Sequence, residues 1–369
     1  MSDSLYQRFI NDFNQKIHGK TINEWGNILA SQNEKAFTVD HPGTLFKLYS
    51  LYAYLIFPYL PIISSLRSKH NVEMIYVDPF AGNGLNKIEL GKTKYFVCGS
   101  PILTLLASHA LSQKRSYSCY FDKMILVEKD REKIELLKER LETIIIHLGI
   151  KHIVNIGDNL QSKSNILVLN ANSKDTNFLR QLTCEIDRIW NEKLMQTMLF
   201  VDPGSPENLD ISMLKKLLSY PGDLLMLLHP GIFAEMANKK RYAVTTLRSM
   251  LGLQSEDAKS IFKNTQMPSK LVKYYIDNYR EAIKKIEMQR LIKGSKFREK
   301  ITEVSIQTGG AHYTLLYATR ETGGSDFLKW QGVFHDFAKH IGQLSDSGPL
   351  ALEVLTGNQH SLDKWVRSV

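Results

Sequence analysis

Two acids in this chain each stand directly after a short apolar run and directly before a proline. Asp78 opens Asp78-Pro79-Phe80-Ala81-Gly82-Asn83-Gly84, and Asp202 opens Asp202-Pro203-Gly204-Ser205-Pro206. A carboxylate held at such a point can receive a cation such as an amino-acid ammonium group, while Gly82 and Gly84 let the backbone pass close to a ligand. The same glycines serve equally to turn a strand into a helix. Glu128 closes the run Ile125-Leu126-Val127-Glu128, where an acid is placed to accept hydrogen bonds from two ribose hydroxyls; a surface acid opening the Lys129-Asp130-Arg131 turn is the competing account. After Leu169 come Asn170 and Asn172, whose amides suit an adenine edge or the cap of a following helix. Asp202 and Pro203 form a fixed turn that can aim a carboxylate and carbonyls at a methyl acceptor, or a turn that is structural only.

For these groups to act together, the elements before them must end side by side. Apolar runs at residues 74–77, 124–127, 166–169, 198–201 and 224–228 alternate with amphipathic stretches such as 131–148. This pattern predicts an α/β fold, a doubly wound, mostly parallel sheet of Rossmann type covered on both faces. Ligands of such sheets bind outside the carboxyl ends of the strands. Glu128 follows Gly84 by 44 residues, whereas a dinucleotide fingerprint places its acid about 20 residues on. With no Gly-x-Gly-x-x-Gly either, an NAD enzyme is disfavoured.

The pattern divides the chain into an N-terminal helical arm at 1–70, a core at 71–235, a basic helical insertion at 236–301, a terminal strand hairpin of the core at 302–320, and a tail at 321–369 with a helix near 330–340. Within the arm, one helix is expected from Tyr6 to about 32. A second, over 44–66, has Leu45, Leu48, Leu51, Leu55 and Tyr59 on one face. The hairpin is read from 304–307 and 313–319 around Gly309-Gly310.

Charge narrows the function further. Of 47 Lys and Arg and 38 Asp and Glu, 16 and 6 fall within residues 239–300, a local balance of +10; the rest of the chain carries 31 basic against 32 acidic groups. Tyr242, Phe262, Tyr274, Tyr275, Tyr279 and Phe297 interleave with these cations, the combination a nucleic-acid surface uses for phosphates and bases. Several of the rings also recur at helical spacing and suit a core. A chain that is 43% hydrophobic and 23% charged excludes a mainly disordered protein. The longest apolar stretch, at 51–63, is short of the roughly 20 residues a membrane crossing needs. No membrane contact and a cytoplasmic location are the expectation. Cys98, Cys119 and Cys184 have no metal-ligand spacing and read as reduced thiols in apolar packing, with no metal expected.

The succession of Asp78 to Gly84, Glu128, Asn170-Ala171-Asn172 and Asp202-Pro203 at four strand ends resembles the class I S-adenosylmethionine-dependent methyltransferases. It resembles more closely the three-Cys-motif partner protein family, through Lys47 with Tyr54-Leu55, the Asp78 to Gly84 loop, Gly99-Ser100-Pro101, Asn172, Asp202-Pro203 and residues 313–320. The family's cysteines belong to a partner protein. The resemblance spans roughly residues 40–320 and implies a methyltransferase core, S-adenosyl-L-methionine as cofactor, and a partner protein beside it. On that reading Lys47, Asp78, Phe80, Gly82, Gly84, Glu128, Asn170 and Asn172 hold the cofactor, and Asp202 and Pro203 face the acceptor. The expected function is methylation of nucleic acid, RNA or DNA, at a base nitrogen. Gly204 stands where the family tends to carry an aromatic residue. That departure keeps a rival reading open, a non-catalytic subunit of the same fold that binds nucleic acid or a partner. A small-molecule methyltransferase would leave the basic insertion without a purpose beyond solubility.

Overall fold

Each of the five apolar runs becomes a strand, and each strand points alternate side chains into two different cores. The computed structural model describes residues 17–35, 37–39, 43–90, 93–205, 208–218, 220–229, 299–308 and 311–320, with Gln254, Glu256, Ser260 and Asp277. In chain order the elements are α1 (Ile22–Gln32), β1 (Phe37–Val39), α2 (Gly43–Tyr54), a π-turn (Leu55–Tyr59), α3 (Leu60–His70), β2 (Glu73–Asp78), β3 (Leu85–Leu90) and β4 (Thr93–Cys98). They continue as α4 (Ser100–Ser112), β5 (Lys123–Glu128), α5 (Arg131–His147), β6 (Ile156–Gly157), β7 (Ile166–Asn170), α6 (Thr176–Glu192), β8 (Met195–Val201), α7 (Ile211–Leu217), β9 (Gly222–Leu228), β10 (Glu299–Thr308) and β11 (Ala311–Arg320).

The main sheet has eight strands in the order β10-β11-β9-β8-β2-β5-β7-β6. All neighbours from β9 to β6 pair in parallel, and β11 runs antiparallel to both β9 and β10. Leaving aside the two-residue β6, the order by position in the chain is 3-2-1-4-5-7-6. This is the doubly wound order 3-2-1-4-5-6 with one reversed strand inserted between the fifth and the sixth. The hairpin expected at 304–319 supplies both the sixth strand, β10, and the reversed one, β11, in register from Glu299 opposite Arg320 to Thr308 opposite Ala311.

Side-chain alternation in a strand has a period of two, and both faces here are apolar. Met74, Tyr76, Met124, Leu126, Ile166, Val168, Met198, Phe200, Leu225 and Leu227 join one core with α1 to α5. Ile75, Val77, Ile125, Val127, Leu167, Leu169, Leu199, Val201, Leu224 and Met226 join the other with α6 and α7. The chain is therefore α/β with a mostly parallel sheet covered on both sides.

Two expectations are corrected, the single helix at 44–66 and the burial of Cys184. In the N-terminal stretch, Trp25, Leu29, Leu48 and Leu51 belong to the same core as the sheet, and β1 lies between α1 and α2. The predicted helix at 44–66 is divided by the π-turn, where Leu60 N–H reaches Leu55 O, five residues back, because Pro58 lies inside the turn and has no N–H to give. The stretch after the glycine loop holds β3 and β4, which join β1 in a second small sheet of order β1-β3-β4. Cys184 is exposed, although Cys98 and Cys119 are buried as expected; burial pushes the Cys98 thiol up to about 12. Residues 1–16, the Gly309-Gly310 turn, the tail from 321 and nearly all of the basic insertion lie outside the described residues. Among the described residues no helix is long and apolar enough to cross a membrane, and no His, Cys, Asp and Glu cluster could hold a metal.

Candidate functional site

At the carboxyl ends of β2, β5, β7, β8 and β9 lies a cleft of about 630 Å³, within the range of small-molecule sites. Phe80, Gly82, Gly84, Glu128, Asn172, Asp202 and Pro203, read from the sequence, all line it. Thr44, Lys47 and Leu48 reach it from α2.

The glycine loop is shaped first by its own backbone. Gly82 has φ 64° and Gly84 φ 79°, a region that side chains disfavour. A Cβ on Gly84 would also sit 2.9 Å from Leu137 Cδ1 and 3.2 Å from Ile102 Cγ1, so its conformation and its packing against α4 and α5 already account for it. Beneath the loop, Arg140 is buried and donates to Asn83 O at 2.8 Å and Asn33 O at 2.9 Å, tying the loop to the segment after α1.

Asp78 does not face the cleft as the sequence led us to expect. Its side chain is buried and accepts from Ser100 Oγ at 2.6 Å, Phe80 N–H at 3.0 Å and Tyr76 Oη–H at 3.4 Å. Loss of hydration dominates and pushes its carboxyl up to about 7, with the Asp202 charge adding to the rise against those hydrogen bonds. The residue organises the loop and the start of α4 and lies behind the cleft wall.

Asp202 is held differently. Burial would raise its carboxyl, but the Lys47 ammonium beside it, together with His229, holds it well below the usual carboxylate range. The Lys47–Asp202 ion pair uses Oδ2, and both side chains are about 15% exposed or less. Lys47, expected on the cofactor, lines the cleft and is paired there with Asp202. Asp202 Oδ1 is buried without a hydrogen bond among the described residues and faces His229 Nε2 at 3.6 Å. Pro203 O accepts from Asn208 Nδ2 at 2.9 Å, which fixes the turn.

On the other side, Glu128 Oε1 accepts the N–H groups of Lys129 at 2.9 Å and Asp130 at 3.0 Å, and Asn172 Oδ1 accepts from Lys174 N–H at 3.0 Å. Both side chains also line the cleft. Asn170 is exposed and donates to Glu128 O at 3.2 Å and Lys129 O at 3.1 Å; it braces the β5 turn and does not line the cleft, which corrects its assignment to the cofactor.

No family model and no curated protein matches the chain. Among solved structures, it is similar to the crystal structure of protein LPL1258 from Legionella pneumophila str. Philadelphia 1, of family model DUF519, at 12% identity and a TM-score of 0.34 over 82% of this chain and 94% of that one. A likeness at that level bears on neither family nor activity.

Sequence reasoning missed His229, which follows β9 directly, is buried and lines the cleft. The signal was present: it ends the fifth parallel strand as Asp202 ends the fourth. Asn208 was missed as well, and only its contact with Pro203 O reveals its part.

Proposed function

We propose that this chain is an S-adenosylmethionine-dependent methyltransferase acting on a base nitrogen of RNA or DNA, working beside a partner protein of the kind the three-Cys-motif resemblance implies. The observation that carries the reading is the convergence of Phe80, Gly82, Gly84, Glu128, Asn172, Asp202 and Pro203 on one cleft of about 630 Å³. The reversed strand between the fifth and sixth strands is a further support, because the terminal hairpin belongs to the motifs behind the resemblance.

The cofactor supplies an electrophilic methyl group. Glu128, at the β5 end, is placed to receive ribose hydroxyls, and Asn172 borders the adenine region. The glycine loop, held from behind by Asp78 and Arg140, forms the floor. Asp202 is kept ionised at the opposite end, where a carboxylate can hold an acceptor N–H and aim the lone pair at the methyl group. Phe80 is a phenyl ring available in the cleft. The +10 balance of residues 239–300 supplies the attraction to phosphates.

One observation favours the rival, a non-catalytic subunit. Gly204 is exposed at φ +65°, with nothing among the described residues within 4 Å of where its Cβ would be, and it carries no ring to stack on a base. Calorimetry with S-adenosylmethionine and S-adenosylhomocysteine, followed by methyl transfer to RNA and DNA from cells lacking this protein, decides between them. Binding with turnover is expected. Asp202→Ala should retain cofactor affinity within about threefold, under roughly 1 kcal/mol, and lose about two to three orders of magnitude in single-turnover rate. No turnover on any nucleic acid points to the subunit, and no binding of either cofactor form overturns the methyltransferase reading.

A further inference from the structure

Among the described residues, four lysines and two acids line the cleft. Lys47 is paired with Asp202, and Glu128 accepts the N–H groups of Lys129 and Asp130. The other three lysines gather at the ends of β5 and β7: Lys129 follows β5, Lys133 lies in the first turn of α5, and Lys174 stands just before α6. β5 and β7 are neighbours, with Glu128 opposite Asn170, so the three share one stretch of the rim. The acids beside them are turned to other partners. Asp130 Oδ1 accepts from Glu132 N–H at 3.0 Å and Lys133 N–H at 3.4 Å, and Asp175 Oδ1 from Asn177 N–H at 2.8 Å and Phe178 N–H at 3.1 Å, capping α5 and α6. Glu132 pairs with Lys35 at 2.6 Å.

The cofactor of the proposed reaction gives these cations no partner. S-adenosylmethionine carries a sulfonium, an ammonium and one carboxylate, hence a net positive charge, and its nucleoside end bears no anionic group. Three ammonium groups around that end repel such a ligand unless an anion joins them. We infer that Lys129, Lys133 and Lys174 bind backbone phosphates of the nucleic-acid substrate, so that the strand crosses the mouth of the cleft over the nucleoside end of the cofactor. The inference rests on the methyltransferase reading, which sets that end at Glu128 and Asn172. Phosphate suits the rim because it offers only acceptors to donors that are all cationic. An ammonium has three hydrogens, so Lys133 and Lys174, which also interact within the chain, take a phosphate oxygen beside those partners. The N-termini of α5 and α6 meet the same rim, and their positive ends favour an anion there. The strand thereby acquires a direction: one flank is held at the ends of β5 and β7 while the target base enters toward Asp202.

The test reads strand and cofactor separately. Fluorescence anisotropy follows labelled single-stranded RNA and DNA of mixed sequence, titrated with the full chain at several salt concentrations and without cofactor. A variant combining Lys129→Gln, Lys133→Gln and Lys174→Gln is compared with one combining Lys114→Gln, Lys151→Gln and Lys163→Gln, three exposed lysines at the opposite ends of the strands and outside the cleft. Both variants remove three charges. The rim variant should bind about tenfold more weakly or worse, and its slope of log K against log salt should be shallower by about 2, the value of three contacts to a single strand. The control should lose under about threefold. Equal losses in the two variants, or a parent chain that binds neither RNA nor DNA, overturn the inference. Adenosine monophosphate should displace the strand only at about a hundredfold molar excess or more; displacement near equal concentration assigns the lysines to a free nucleotide and overturns it as well. Calorimetry with S-adenosylhomocysteine should give the rim variant an affinity within about threefold of the parent; a greater loss puts the lysines on the cofactor and overturns the inference. A parent chain that does not bind S-adenosylhomocysteine overturns the methyltransferase reading, a failure seen with a different ligand from the one that tests the lysines.

Discussion

The two ends of the cleft solve the problem of placing polar groups at strand ends in opposite ways. At the ends of β2, β8 and β9, Asp78, Asp202 and His229 are taken out of water and set by one another: Asp78 by Ser100, Phe80 and Tyr76, Asp202 by Lys47 with His229 beside it. At the ends of β5 and β7, Glu128, Asn170 and Asn172 stay partly or fully exposed and bond to the backbone of their own turns. Water screens the second group and tolerates its loss. The first group depends on its partners, since a buried charge is tolerable only with a counter-charge or with donors in place. One end is therefore electrostatically committed and the other is a shaped rim.

The largest effect should come from breaking the committed end. Lys47→Ala leaves the Asp202 carboxylate buried with Asp78 as its neighbour, and stability should fall by about 3 to 5 kcal/mol, the scale of an orphaned buried charge. Lys47→Met combined with Asp202→Asn should recover most of that loss, because no uncompensated charge remains. Urea unfolding of the three variants checks it. A loss under about 1 kcal/mol for Lys47→Ala would place the pair among solvent-screened bridges and erase the contrast between the two ends.

Next in size is a pH effect confined to the same end. Burial raises the Asp78 carboxyl from 3.8 to about 7, so between those values the folded chain keeps a proton that the unfolded chain has released. Stability contributed this way is full below the unfolded value and is lost as pH rises toward about 7, with a slope of at most about 1.4 kcal/mol per pH unit. Asp78→Asn cannot titrate, and its unfolding free energy should vary less across this window than that of the parent. Parallel slopes in the two proteins would mean that Asp78 is ionised throughout.

How much of this was legible in the sequence follows from the same contrast. The strands of the sheet were readable because both faces bury apolar side chains, giving unbroken runs such as Met74-Ile75-Tyr76-Val77. Glu128, Asp202 and the glycine loop were readable because they stop those runs. The inward turn of Asp78 was partly available, since it shares parity with Tyr76 and hence the face that receives Ser100 from α4. Two things were beyond local pattern. The Lys47–Asp202 pair joins α2 to β8, and only the packing of α2 on the sheet brings them together. The hairpin of β3 and β4, with Asn86, Lys87 and Glu89 between Leu85, Ile88 and Leu90, alternates too irregularly to declare itself, and its support comes from Gly26 of α1, where a Cβ would lie 2.1 Å from Phe96 O.

The smallest structural effect belongs to the rim, and it comes with a clear functional one. Glu128→Ala removes two hydrogen bonds, to Lys129 N–H and Asp130 N–H, from a half-buried side chain whose donors remain near water. The stability loss should be under about 1 kcal/mol. Affinity for S-adenosylhomocysteine should nevertheless fall by about 1.5 to 3 kcal/mol, the worth of hydrogen bonds to a charged acceptor, which is roughly ten- to a hundredfold in Kd. Asn170→Ala, on the same rim but outside the cleft, should cost similar stability and leave the affinity unchanged. Calorimetric titration of both variants, with their unfolding midpoints, separates the two roles. If Asn170→Ala weakens binding as much as Glu128→Ala, the rim acts by holding the β5 turn in shape, and direct contact between Glu128 and the ribose is wrong.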